Sequence, residues 1–245
     1  MADSARRSLR RDGGKFLHVM PEHGGAPIAV ALRRNPRARR LILSVDPGEA
    51  RPALVIPAFV SVGEAQAFLE QRRDWLCRRL AALPARAPFA DGAVVPFKGA
   101  ALVLRHRPGA RGVAWRDGDH LDVAGDPRHL ARRAADWLKA EARRDFAARA
   151  ARMAQELGRP APRVGIRDPR RQWGSCSSDG TLRLSWRLVM APEPVIDYVV
   201  AHEVAHLVEM NHGPGFWAVV ARLTPHMATA RIWLRRNGHS LLRYG

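Results

Sequence analysis

One short apolar run carries ionisable side chains at a spacing that few folds tolerate without a ligand. Residues 199–207 read VVAHEVAHL, so that His202, Glu203 and His206 interrupt an otherwise apolar segment. Prolines at 192 and 194 suit the first turn of a helix that continues through this run. In a helix the two histidines lie one turn apart on the same face, and burying two unpaired imidazoles is costly. The segment therefore predicts a helix whose two histidines bind one metal ion, with Zn²⁺ the expected ion.

The glutamate between the histidines suits hydrolytic chemistry. Glu203 directly follows the first predicted ligand and could hold a zinc-activated water as general base. Zinc lowers the pKa of its bound water and polarises a scissile carbonyl. The alternative, two helical histidines on a solvated or packed face, leaves both imidazoles without a partner in an apolar helix. The pattern favours a metal-dependent hydrolase with one zinc ion per chain and Glu203 as catalytic base.

A third ligand is expected a few residues further on. His212 lies ten residues after His202, the spacing of the metzincin signature His-Glu-x-x-His-x-x-Gly-x-x-His. The glycine of that signature is absent and Glu209 stands in its place, so the turn has to come elsewhere, for example at Asn211. If the helix continued, Glu209 would lie nearly in line with His202 and could be an alternative ligand or hold a ligand in position. We expect His212 to be the third ligand.

The segment between two predicted strands is a candidate wall of the cleft. Residues 172–180, QWGSCSSDG, hold Trp173, Gly174 and Ser175, whose backbone N–H groups and hydroxyl could face substrate or developing negative charge. The competing interpretation, which the local pattern favours, is a hairpin turn with the tryptophan in the core. Tyr198, one turn before the first histidine, could likewise donate a hydrogen bond to substrate or be a core tyrosine.

A clean alternation follows this segment. Between Thr181 and Val189 the apolar residues point one way and the polar ones, Arg183 and Arg187 among them, point the other. The pattern predicts an edge strand that pairs with an extended peptide substrate. Its two arginines would face outward and select acidic groups or phosphate.

Composition limits the class of protein. The chain has 245 residues, 47% of them hydrophobic, which is enough for one large domain or two small ones. Charges or prolines interrupt every apolar run well before ~20 residues, no secretory signal is visible, and the two cysteines lie far apart. These features predict a cytoplasmic protein without a membrane partner. The net charge of +18, nearly all from arginine, has two interpretations: solvated helix and strand faces, or attraction to nucleic acid or nucleotides.

The order of patterns predicts an α+β fold. The first region, 1–125, is rich in short apolar runs bounded by glycine and proline, which favours β-structure. It contains one long helix over about 61–83, starting at Ser61 with Glu64 at capping-box spacing. The second region, 126–245, opens with a long amphipathic helix, continues with a strand near residue 164 and ends in further helices.

Several motifs occur in an order that resembles a known family. They are QWGSC at 172–176, LSWRLV at 184–189, AP at 191–192, IDYVVAHE at 196–203, EMNH at 209–212 and FW at 216–217. Over nearly its whole length the chain is similar to the YgjP-like metallopeptidases, which are related to the SprT-like zinc proteases. The resemblance implies a zincin-like catalytic domain at 126–245, with the three histidines as zinc ligands, Glu203 as base and the loop of Trp173 in the active site. One position departs from the family pattern: Ala205, between the motif histidines, is expected to face away from the metal.

Three functions compete for this site. Peptide-bond hydrolysis is the leading one, with a protein or peptide as substrate. The alternative is hydrolysis of a nucleotide phosphoanhydride at the same metal, with Arg183 and Arg187 binding the phosphates. A non-catalytic nucleic-acid-binding module with a structural metal is disfavoured, because three protein ligands plus a glutamate base describe an open site, whereas a structural zinc takes four ligands.

Overall fold

A computed structural model describes residues 16–245 except 23, 47–49, 84 and 171. The chain divides into two compact units, Met1–Ala85 and Arg86–Gly245. Both contain strands and helices, which confirms the predicted α+β class. In the part of the chain that the structure describes, no helix combines the length and the apolarity needed to cross a bilayer.

A four-stranded sheet and two helices form the first unit. The strands are β1 (Phe16–Val19), β2 (Ile28–Arg34), β3 (Ile42–Asp46) and β4 (Arg51–Ile56), in the order β1-β2-β4-β3. Strands β2 and β4 are parallel, and the other two pairs are antiparallel. The helices α1 (Val62–Gln71) and α2 (Arg73–Ala81) follow. Buried apolar side chains of the sheet and helices form a core of their own, which includes Val30, Leu54 and Leu69.

The helical segment after β4 begins as predicted and then breaks. The Ser61 hydroxyl accepts a hydrogen bond from the Glu64 N–H at 3.1 Å, and the Glu64 carboxylate accepts one from the Ser61 N–H at 2.8 Å. The predicted capping box is therefore present. The single helix predicted over 61–83 is instead two helices, because Arg72 leaves the helical region at φ −103° and ψ 7°. No proline or glycine marks the break, so local propensity gives no sign of it.

A second four-stranded sheet opens the second unit. Its strands are β5 (Val94–Phe97), β6 (Ala100–Arg107), β7 (Ala114–Asp117) and β8 (His120–Ala124), in the order β5-β6-β8-β7. Helix α3 (Leu130–Glu156) follows a short 3₁₀ turn and matches the long helix predicted from residue 126. This sheet packs against α3, so both belong to the second compact unit, Arg86–Gly245.

A three-stranded sheet and three helices carry the candidate site. The strands are β9 (Val164–Arg167), β10 (Gly174–Cys176) and β11 (Leu182–Ser185), in the order β10-β11-β9. The helices are α4 (Glu193–Ala205), α5 (Pro214–Leu223) and α6 (Met227–Leu241). Helix α4 is largely buried and contacts α3, α5, α6 and β10, as expected of a helix that is apolar on most of its faces.

The strand predicted over Thr181–Val189 is shorter than expected, and it is not an edge. Strand β11 ends at Ser185, and residues 186–190 form a 3₁₀ helix in which every residue is buried, so the predicted alternation stops there. Strand β11 pairs with β10 on one side and with β9 on the other. Both of its edges are used within the sheet, so an extended peptide cannot pair with it. Strand β10, which contacts α4, lies at one edge of this sheet. None of the other described strands pairs with its outer edge.

Candidate metal centre

Helix α4 places the first predicted ligand and the predicted base next to each other near its C-terminal end. The apolar residues before them are buried, which fixes the rotation of the helix about its axis. Glu203 is only 5% exposed and faces β10, whereas His202 is half-buried. The helix ends at Ala205, so His206 is the first residue beyond it.

The three histidines predicted to bind metal come together. The candidate ligand atoms of His202, His206 and His212 all lie within 4.8 Å of one another. The Nε2 atoms of His202 and His212 are 3.1 Å apart. Two nitrogen atoms bound at ~2.0–2.1 Å to one tetrahedral zinc ion lie about 3.3 Å apart, close to this spacing. The donor set therefore fits one ion of the size and preference of zinc.

Backbone contacts orient the two predicted ligands that lie outside the helix. The Nδ1 atom of His206 is 3.1 Å from the Glu209 carbonyl oxygen. Because a carbonyl only accepts, Nδ1 carries the proton and Nε2 keeps its lone pair. The His212 carbonyl accepts a hydrogen bond from the Trp217 indole N–H at 3.1 Å, which ties this loop to α5. Glu209 thus contacts the centre through its backbone, while its carboxylate lies beside Gly215.

A buried aromatic ring forms the floor of the cluster. Phe216, on α5, is fully buried and contacts all three rings. Its centroid lies 4.9, 4.7 and 4.6 Å from those of His202, His206 and His212. One side chain therefore restricts the positions of all three imidazoles. The sequence places Phe216 in one of the motifs of the family resemblance, but it gives no sign of a role at the metal centre.

Burial favours the neutral form of two of these rings. The pKa of His202 is lowered to about 4, first by burial and then by His206, His212 and Arg231. Burial also lowers the pKa of His206, although its hydrogen bond to the Glu209 carbonyl acts in the opposite direction. A metal ion binds the neutral imidazole, so at neutral pH neither ring has to lose a proton first.

The carboxylate of Glu203 occupies a narrow space between α4 and β10. A Cβ atom at position 174 would come within 2.6 Å of its Oε1, so Gly174 provides the room. Burial raises the pKa of Glu203 to about 7. Together with Trp173, Tyr198 and His202, both residues line a cavity of about 250 Å³. A carboxyl group that titrates near neutrality beside an imidazole cluster is suited to accepting and returning a proton.

Trp173 and Tyr198 are core residues and cavity walls at once. The Trp173 indole packs against Gly238 of α6, where a Cβ would come 3.0 Å from its Cζ2 atom. Tyr198 is 8% exposed, and its ring lies edge-on to His202 with the centroids 6.1 Å apart. Burial raises the pKa of the Tyr198 phenol, so this group stays protonated at neutral pH and can donate a hydrogen bond.

The hydrogen bonds of β10 determine which of its backbone groups face outward. The Ser185 N–H donates to the Trp173 carbonyl at 2.8 Å, which makes these two residues a hydrogen-bonded pair of the antiparallel ladder. In such a ladder every second residue turns its N–H and C=O to the other side. Gly174 and Cys176 therefore direct their backbone groups away from β11, toward the free edge.

One family model covers most of the chain. The model of the YgjP-like metallopeptidase domain matches residues 39–237. The chain belongs to the YgjP-like metallopeptidase family. A solved structure, the metallopeptidase zymogen of Methanocaldococcus jannaschii jannalysin, matches 38% of this chain and 95% of its own, with 18% sequence identity and a TM-score of 0.34. No curated protein matches the chain.

Membership of this family defines the general chemistry. The YgjP-like protein is a metallopeptidase, hence a hydrolase that requires a metal ion, and its family indicates a peptide substrate. The cluster of three histidines is where that ion could bind. The comparisons give no support for nucleic-acid binding.

Ser175 and Arg183, both predicted to contact substrate, lie on the far face of the sheet in this YgjP-like protein. They are directly opposite each other on β10 and β11. Successive side chains of a strand point to opposite faces, so both point away from the face on which Glu203 approaches Gly174. The exposed Arg183 guanidinium is therefore not among the groups that line the cavity.

Arg187, also predicted to bind substrate, is a buried anchor. It is 5% exposed, and its Nε donates to Asp168 at 2.7 Å. Its Nη1 donates to the carbonyls of Leu241 and Tyr244, and the guanidinium lies over the Trp186 ring. The side chain thereby connects the 3₁₀ helix after β11 to the C-terminal end of α6.

Proposed function

We propose that this chain is a zinc-dependent metallopeptidase in which His202, His206 and His212 hold the ion and Glu203 is the catalytic base. The observation that carries the proposal is the convergence of three imidazole rings beside one buried carboxylate. Three protein ligands leave a four-coordinate zinc with one open position, as in catalytic sites. When bound, the ion supplies Lewis-acid chemistry that polarises the scissile carbonyl and lowers the pKa of a water molecule.

Glu203 moves the proton. Its carboxylate takes a proton from the attacking water and returns it to the departing amine, which requires a group whose pKa lies near the working pH. Burial of the side chain supports this role, because it brings the pKa of the metal-free group to about 7. The backbone of Gly174 restricts the carboxylate to a narrow space, so that little reorientation is needed during the reaction.

Tyr198 can assist at the same place. Its hydroxyl belongs to a residue that lines the cavity with Glu203, and burial keeps the phenol protonated. A fixed donor of this kind stabilises the negative charge that develops on the carbonyl oxygen during attack.

An extended peptide is the substrate that the free edge of β10 suits. The backbone groups of Gly174 and Cys176 face outward at a spacing of two residues, which matches the hydrogen-bonding period of another strand. Gly174 and Glu203 line the same cavity. A peptide paired with β10 would therefore place one of its carbonyl groups next to Glu203. The sequence predicted that the strand over Thr181–Val189 would pair with the peptide. In this proposal its neighbour in the sheet, β10, has that role.

Nucleotide hydrolysis, the alternative, has less support. It requires cationic groups at the cavity to hold the phosphates. Arg183 lies on the far face of the sheet, and Arg187 is buried in its pairing with Asp168. Among the described residues that line the cavity there is no arginine and no lysine.

The test is the activity of the purified protein loaded with zinc, measured against casein and against a nucleoside triphosphate. We expect casein hydrolysis that a chelator abolishes and added zinc restores. Glu203→Gln should retain the zinc and lose at least ~100-fold in kcat, since an amide cannot accept the proton. An unchanged rate in that variant would show that Glu203 is not the base. Hydrolysis of the triphosphate without hydrolysis of casein would establish the alternative.

A further inference from the structure

Two cavities lie at the two ends of β10. The one beside Glu203 is lined by Gly174, and a larger one of about 710 Å³ is lined by Ser177, the residue after the strand. We call the larger cavity the arginine groove; it is lined by residues 159–163, 177–181, 206–208 and 210. His206 is among these residues, so the groove adjoins the metal centre.

A peptide paired with β10 extends into this groove. Strand β10 runs from Gly174 toward Ser177, so an antiparallel peptide runs in the opposite direction, from the groove toward Glu203. Antiparallel pairing is the commoner arrangement, and β10 already adopts it with β11. At ~3.3 Å per residue, the step from Gly174 to Ser177 spans about 10 Å. The groove therefore receives side chains two or three residues N-terminal to the bond beside Glu203.

The groove presents two arginines to solvent. Arg159 and Arg163 are exposed, and within the described part of the chain neither guanidinium has a carboxylate partner. The carboxylate of Asp179 also lines the groove, but it accepts hydrogen bonds from the Ser177 hydroxyl and from the N–H and hydroxyl of Thr181. Its capacity to accept is thus largely used within its own turn, whereas no described residue accepts a hydrogen bond from either guanidinium group.

Apolar residues lie between these charges. Pro160 and Pro162 lie between the two arginines in the sequence. Leu207 and Met210 line the groove near His206. Met210 is 56% exposed, so apolar surface is available to a ligand. A surface of this kind can cover the methylene groups of a glutamate or aspartate while a guanidinium binds the carboxylate.

We propose that the arginine groove binds an acidic side chain of the peptide substrate, two or three residues N-terminal to the bond that is cleaved. This inference rests on the proposed peptidase function and specifies the substrate class of the same site. Arg159 and Arg163 supply the charge, and the free edge of β10 sets the distance from the cleaved bond.

The experiment combines cleavage and binding. The zinc-loaded protein is incubated with a diverse peptide library, and the residues around each cleaved bond are identified by mass spectrometry. We expect enrichment of Asp and Glu at the second or third position before the bond, and loss of that enrichment in the double variant Arg159→Ala with Arg163→Ala. Arg143→Ala with Arg144→Ala, which removes two exposed arginines of α3, is the matched control and should keep the preference.

Binding is measured separately in the inactive Glu203→Gln background. Two fluorescent peptides that differ only in Glu or Gln at the selected position are titrated and followed by anisotropy. The Glu peptide should bind about five- to tenfold more tightly at low salt, and removal of both groove arginines should abolish this difference. Binding of the Gln peptide should change by less than about twofold in the same variant.

The possible results separate this inference from the proposed function. Cleavage of many peptides without an acidic preference would overturn the inference and leave the peptidase function intact. A preference on the C-terminal side of the bond would also overturn it, since the peptide would then run in the opposite direction. Failure of the protein both to cleave and to bind any peptide would overturn the proposed function and the inference together.

Discussion

The carboxylate of Glu203 lies against the backbone of Gly174. A Cβ atom at position 174 would come 2.6 Å from Oε1, 2.7 Å from Cγ and 2.8 Å from Cδ of this glutamate. Such distances lie far inside van der Waals contact, so either β10 or the glutamate would have to move. The close approach of strand and helix therefore depends on a residue without a side chain.

Replacement of Gly174 by alanine should impair catalysis and leave the metal bound. We expect Gly174→Ala to lower kcat by at least ~10-fold, because displacing the base by about an ångström is enough to cost that much. Gly165→Ala is the matched control, since it lies in β9 of the same sheet and its Cβ would meet other atoms only at 3.7 Å and beyond. Equal activity of the two variants would show that the position of Glu203 does not depend on Gly174.

The third ligand can be identified from zinc affinities. We expect His212→Ala to weaken zinc binding by more than ~100-fold and Glu209→Ala by less than ~10-fold. The glutamate contributes its carbonyl to His206, and alanine retains that carbonyl. Competition with a chromogenic chelator measures both affinities. The opposite order would make the carboxylate of Glu209 the ligand.

Replacement of Phe216, whose ring contacts all three histidines, should lower metal affinity by more than the accompanying loss of stability explains. Phe216→Leu removes contacts to all three imidazoles, and we expect zinc affinity to fall by about tenfold. The free energy of unfolding should fall by roughly 1–3 kcal/mol from the loss of buried volume. Val220→Ala, at another fully buried position of α5, should cost a similar amount without changing zinc affinity. If both variants lost zinc affinity and stability to the same extent, Phe216 would act only as a core residue.

Burial of Glu203 should make the metal-free protein less stable as the pH rises. Its pKa is about 7 in the folded protein, whereas an unfolded glutamate titrates near ~4.3. The folded state holds the proton more tightly, so the stabilising contribution is complete below the unfolded pKa and is lost between about pH 4.3 and pH 7. Glu203→Gln lacks this loss, and at pH 8 the metal-free variant should be more stable than the wild type by roughly 3–4 kcal/mol.

Urea unfolding of both metal-free proteins at pH 4 and pH 8 measures this difference. At pH 4 the two proteins should have nearly the same stability, because the glutamate is then protonated in the folded state and mostly protonated in the unfolded state. If the difference in the free energy of unfolding between the wild type and Glu203→Gln were the same at pH 4 and pH 8, the carboxyl group would not be desolvated.

Two arginines of one predicted strand should behave differently on replacement. Arg187→Met removes one donor from Asp168 and one from each of two backbone carbonyls, so we expect a loss of roughly 2–4 kcal/mol in the free energy of unfolding. Arg183→Met, at an exposed position, should change it by no more than about 0.5 kcal/mol. If Arg187→Met instead raised KM for peptides at unchanged stability, the residue would belong to the substrate site.

Local physics explains the features that the sequence predicts well. The spacing of His202 and His206 places both rings on one side of a helical turn, although His206 proves to be the cap residue after the last residue of α4. The Ser61–Glu64 capping box depends on four consecutive residues. The strand expected near residue 164 and the long helix from residue 126 likewise follow from short-range periodicity. None of these features requires knowledge of what packs against them.

Long-range pairing explains the features that the sequence does not predict. The alternation of β11 is the same in a central strand and in an edge strand, so its pattern cannot reveal its place in the sheet. Arg187 fits the polar half of that alternation, but its partner Asp168 lies 19 residues away and its carbonyl partners lie at the end of the chain. The role of Phe216 likewise depends on how α5 folds back against α4.

Helix α4 stops at Ala205, one residue before the second histidine. One predicted ligand is thus part of a rigid, largely buried helix, whereas His206 and His212 belong to the connection between α4 and α5. An ion bound to all three closes a ring through residues 202–212 and restricts this connection much as a disulfide restricts a loop. Without the ion, the same connection becomes the part of the centre most easily cut by other proteases. The rate at which this connection is cleaved would therefore depend on the supply of metal ions in the surroundings.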